Sequence, residues 1–120
     1  MNGIEQICFR IISAVGSARS SYIEAIKEAR KGRFDIAQKR MEEGREVFVE
    51  GHQAHAELLQ QEAGGSHIDV QLLLVHAEDQ LMSAEGFSIL ARELIETYRL
   101  IYEGMAKTED AEESRRQVCG

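Results

Sequence analysis

A chain of 120 residues with 43% hydrophobic and 29% charged side chains has the composition of one ordinary folded domain. Its formal net charge of −7 argues against nucleic acid or an anionic membrane surface as a partner, since both are negative. No run approaches the roughly 18 apolar residues of a membrane span, and the start lacks a basic-then-apolar export signal, so the expectation is a cytoplasmic chain without membrane insertion.

Proline is absent, so nothing in the chain forces a helix to break. Over about residues 4–31 apolar side chains recur in steps of three and four, among them Ile4, Ile7, Cys8, Ile11, Val15, Ala18 and Tyr22. That spacing predicts an amphipathic helix, closed by Gly32 with Arg30 and Lys31 beside the negative end of its dipole. A second helix is predicted over 34–63. Phe34, Met41, Phe48 and His55 mark one seam position, and Ala37, Gly44, Gly51 and Leu58 mark the other. A glycine inside a helix costs about 1 kcal/mol against alanine, so a close helix approach is expected to compensate at Gly44 and Gly51.

Gly64-Gly65-Ser66 ends that helix, and a third is predicted over about 68–105. Residues 106–120 have almost nothing to bury and read as a frayed helix end or a disordered tail. Cys8 falls on the apolar stripe and Cys119 in the polar tail, so neither a disulfide nor a Cys/His metal pattern is indicated. The expected fold is all-α, an antiparallel up-down-up three-helix bundle. Leu72-Leu73-Leu74-Val75 point in every direction around the third helix, more than two other helices can cover. The expectation is a homo-oligomer with the third helices near its centre.

The chemistry-bearing cluster lies in the same stretch. His76, Asp79 and Gln80 stand at i, i+3 and i+4, on one helix face. His76 has two readings. One is a core histidine satisfied by a carboxylate or carbonyl; the other is a nucleophile whose free ring nitrogen accepts a phosphoryl group. Asp79 also has two. It pairs with an Arg or Lys of its own chain, or its copies converge on a symmetry axis and share a hard divalent ion such as Mg²⁺. His52 and His55 resemble half a metal site without a third ligand, and His67 reads as a cap-region residue. No Gly-rich phosphate loop and no nucleophile elbow are present, so no organic cofactor is expected and a phosphoryl donor has to be another protein.

Leu72-Leu73-Leu74-Val75-His76-Ala77-Glu78-Asp79-Gln80-Leu81-Met82 is similar to a His-x-Gln-Asp-His-Leu-Met signature. With Gly16-Ser17-Ala18-Arg19-Ser20, Ala29 to Phe34, and Gln61-Glu62-Ala63-Gly64-Gly65, it makes the chain resemble, over roughly residues 4–105, a known family. This is the enzyme IIA component of the lactose/cellobiose (including chitobiose) group of bacterial sugar phosphotransferase systems. The resemblance implies a homotrimer whose His76 accepts a phosphoryl group from the general phosphocarrier HPr and passes it to a cysteine of enzyme IIB. It also implies that Asp79 faces the trimer axis, where a divalent cation can sit, with Gln80 as a hydrogen-bonding neighbour of His76. Glu78 departs from the usual glutamine and Gln80 from a second histidine. A helical trimeric assembly or regulatory module without phosphotransfer is the alternative that these departures leave open.

Overall fold

The computed structural model describes residues 3–119, which form α1 (Gly3–Arg30), α2 (Phe34–Ala63) and α3 (Leu72–Cys119), with no strand among them. The all-α bundle expected from the periodicity is the fold observed. Met1 and Asn2 of the predicted domain and Gly120 of the predicted tail lie outside the described residues.

The turn after α1 follows from one glycine. Gly32 adopts φ of 79°, a left-handed conformation that side chains other than glycine's rarely take. The N–H groups of Gly32 and Arg33 then return to the carbonyls of Ala29 and Glu28, both at 2.9 Å. Tyr102 of α3 seals this turn. Its hydroxyl donates to the Arg30 carbonyl at 2.9 Å, and its ring stands edge-on to Phe34 with centroids 5.6 Å apart.

The α1–α2 seam is closed as the small residues require. A Cβ placed on Gly44 would sit 2.6 Å from the Tyr22 ring, and one on Gly51 would sit 3.0 Å from Val15. Ile11, Val15 and Ala18 are consequently fully buried.

α3 departs from the predicted bounds at both ends. It starts at Leu72 rather than near residue 68, because Ile68 is buried in the core with Ile7 and Cys8 and the preceding strip is drawn across the end of the bundle without winding. At the other end, the predicted boundary at 105 and the frayed or disordered tail of 106–120 give way to helix as far as Cys119. Every described residue from Leu100 onward is exposed, so this stretch is helical without a core. Residues 105–119, rich in Ala, Glu, Lys, Arg and Gln and free of glycine and proline, favour that conformation locally.

α3 leans mainly on α1 and meets α2 only narrowly. An open groove of about 820 Å³ is left between α2 and α3, lined by Met41, Phe48, Val49 and Ile89 together with Arg45 and Arg92.

Candidate functional site

Successive residues of an α-helix are about 100° apart, so α3 around His76 presents distinct flanks. Ala77, Leu81 and Ala84 are buried and face the core. Glu78 points toward α2, where its Oε1 lies 2.6 Å from His55 Nε2. Gln80 points toward α1, and its Oε1 accepts a hydrogen bond of 2.9 Å from Arg19 Nη1. His76, one turn before Gln80, occupies the same α1-side flank and is exposed. The outer face carries Leu72, Val75 and Met82, at 84%, 50% and 68% exposure, with Asp79 exposed among them.

The shared face predicted for His76, Asp79 and Gln80 is thus fanned out. Gln80 lies in the α1–α3 seam, His76 beside it, and Asp79 outermost. The reading of His76 as a satisfied core histidine does not hold. Its ring is exposed and has no hydrogen-bond partner among the described residues. The apolar run misleads there because the bundle half-covers Leu73 and Leu74 and leaves Leu72 and Val75 open. The ion pair of Asp79 with an Arg or Lys of its own chain is likewise not found among the described residues.

Glu78 is two residues from His76, about 200° around the helix, so its charge faces the opposite side from the imidazole. His55 fixes it there, with 17% of the histidine side chain and 40% of the glutamate side chain exposed. Glu78 acts instead on Cys8. Burial pushes the Cys8 thiol above its ordinary value of 9.0, and the charges of Glu78 and Glu5 push it the same way. A buried neutral thiol is a poor nucleophile.

The other histidines are dispersed. His52 is exposed on the α2–α3 groove near Phe48, and His67 pairs with Asp69 at 2.9 Å in the connecting segment. No group of three or more His, Cys, Asp or Glu able to hold a metal occurs among the described residues of one chain. Sequence reasoning overlooked Arg19 as a member of the site. A signal was present, because the positions three and four residues away are Val15, Gly16, Tyr22 and Ile23, none of them acidic. Among the described residues Arg19 meets no carboxylate.

Fold and flank together define a helical-bundle domain with an exposed imidazole, that of His76, on the α1 side of α3. Residues 6–99 match the model of the family described as PTS system, lactose/cellobiose specific IIA subunit. The lichenan-specific phosphotransferase enzyme IIA component of Bacillus subtilis (strain 168) is 42% identical over 100 residues, covering 83% of this chain and 91% of that protein. The crystal structure of the PTS cellobiose-specific enzyme IIA from Bacillus anthracis superposes with a TM-score of 0.83 at 37% identity, over 86% of this chain and 94% of that one. The IIA(chitobiose) structure solved as a complex with HPr gives a TM-score of 0.75 at 30% identity, over 85% of this chain and 99% of that one. The chain belongs to the lactose/cellobiose-specific IIA family and is a component of a sugar phosphotransferase system.

Proposed function

We propose that this chain carries a phosphoryl group on His76, taking it from HPr and giving it to a cysteine of enzyme IIB on the cytoplasmic side during uptake of a lactose/cellobiose-type sugar. The observation that carries this reading is the exposed His76 ring, which has no partner within its own chain among the described residues. In the loading step the lone pair of one His76 ring nitrogen forms a new P–N bond. The P–N bond of the donor phosphohistidine breaks, and its electron pair returns to the donor imidazole. In the unloading step a thiolate of the acceptor forms a P–S bond while the His76 P–N bond breaks. Positioning and charge stabilisation do the catalytic work, and a ring mounted on a packed helix is already oriented. Support for HPr as donor comes from the similar IIA(chitobiose) chain, which was solved bound to HPr. Glu78, turned to His55, places no carboxylate against the incoming phosphate.

The assembly in this reading is a homotrimer with α3 near the axis. The outer face of α3 and the α2–α3 groove supply apolar surface larger than isolated exposed residues. Asp79 suits a site on that axis because it is a carboxylate without an ion-pair partner among the described residues, set among Leu72, Val75 and Met82. Three copies would hold Mg²⁺ or another divalent cation, whose charge offsets that of the converging carboxylates.

The test is intact-mass measurement after incubation with phosphoenolpyruvate, enzyme I and HPr. The parent chain gains one acid-labile phosphoryl group and His76→Ala gains none; added enzyme IIB then discharges the parent. No gain in the parent assigns the chain to the alternative, a trimeric assembly or regulatory module.

A further inference from the structure

We infer that Arg19 is the cation that grips the phosphoryl group while it sits on His76, an inference that rests on the carrier reading above. Arg19 is half-buried in α1, and its Nη1 donates to Gln80 Oε1 at 2.9 Å. Gln80 is one turn beyond His76 on the same flank of α3, roughly 6 Å along the axis. α1 and α3 run in the same direction in an up-down-up bundle, and side chains on a helix lean toward its N-terminus. That lean directs the Arg19 side chain toward the end of α3 that carries His76. A Cβ built on Gly16, one turn before Arg19, meets nothing within 4 Å, so the space beside that turn of α1 is open.

The chemistry of the group suits this task. A guanidinium offers five N–H donors in a planar fork, and Gln80 occupies one arm through its oxygen. With no carboxylate opposite Arg19 among the described residues, the remaining donors are uncommitted. A phosphoryl group in transfer spreads its charge over its equatorial oxygens, which a fixed cation stabilises without reorganising. Gln80 has no charge of its own to offer; it aims one. The P–N bond still forms at the imidazole as written above, and Arg19 exchanges no proton or electron pair.

The experiment compares the full-length parent, Arg19→Gln, Arg19→Lys and Gln80→Leu. Phosphorylated HPr is the donor in single-turnover loading, and each loaded chain is titrated by phosphorus NMR. Arg19→Gln should load on the order of tenfold to a hundredfold more slowly. Its phosphohistidine should take its second ionisation at higher pH than the parent's, because the cation favouring the dianion is gone. Arg19→Lys keeps a charge but not the fork, so it should recover the titration and only part of the rate. Gln80→Leu, which frees the guanidinium without removing it, should fall between the parent and Arg19→Gln, and serves if Arg19→Gln does not fold. Parental rate and titration in Arg19→Gln, or in Gln80→Leu where it stands in, would overturn the inference and leave the carrier reading intact. A parent that does not load at all sinks both, and the two failures are distinct.

Discussion

Cys8 and Cys119 carry the same thiol into opposite surroundings. Cys8 is 1% exposed, with its ionisation raised first by burial and then by Glu78 and Glu5, while Cys119 is exposed at the end of α3. The folded state favours neutral Cys8, so the stability tied to it is full below pH 9.0 and is lost as pH climbs past that value. At pH 8 iodoacetamide should therefore modify Cys119 readily and Cys8 far more slowly, which peptide mass spectrometry resolves. Equal rates would contradict the packing of α1. At this scale the sequence pattern identified His76, Asp79 and Gln80 as the residues to watch, because polar side chains inside Leu72 to Met82 stand out. It did not reveal that His76 is open. Periodicity tells which residues share a side of a helix, but not where neighbouring helices stop covering it. Arg19 was missed for a related reason: its lack of an acidic neighbour on α1 was legible, but its partner Gln80 is 61 residues away.

Among the elements, the α1–α2 hairpin was the most legible, because regular three-and-four spacing and punctuating glycines mark both helices. α3 was less so. The placement of Ile68 depends on a cavity formed by α1 and is not announced by any local repeat. The helical continuation to Cys119 is carried by local preference in a stretch with no apolar rhythm to mark it. The seam at Gly44 gives a direct test. Alanine there gains about 1 kcal/mol of helix propensity. It also forces a Cβ to within 2.6 Å of the Tyr22 ring, which is only 3% exposed and has little room to retreat. Overpacking of this kind typically costs about 1–3 kcal/mol. Gly44→Ala should thus lower the thermal midpoint, and a midpoint equal to or above the parent's would show that the seam yields freely.

For the whole molecule, the open outer face of α3 links packing to assembly. A single chain 79 Å long and only 21 by 19 Å across is a rod with one long side unfinished. The proposed trimer completes that side, and Asp79 is its one ionised group among Leu72, Val75 and Met82. Replacing Asp79 by Leu should raise the trimer's melting temperature in chelator and abolish any response to added Mg²⁺. Sedimentation velocity and melting curves with and without chelator check this, and a parent that sediments as a monomer at micromolar concentration rules the trimer out.

Among the described residues, His76 stands exposed on a helical flank of α3. In the proposed carrier, a visitor that docks over the ring leaves no room for a second one, so loading and unloading would alternate like passengers through a turnstile. An emptied donor that lingers would obstruct the flank as effectively as a shortage of charged donor. The pace of the relay would then be set as much by how quickly visitors leave as by how quickly phosphorus changes hands.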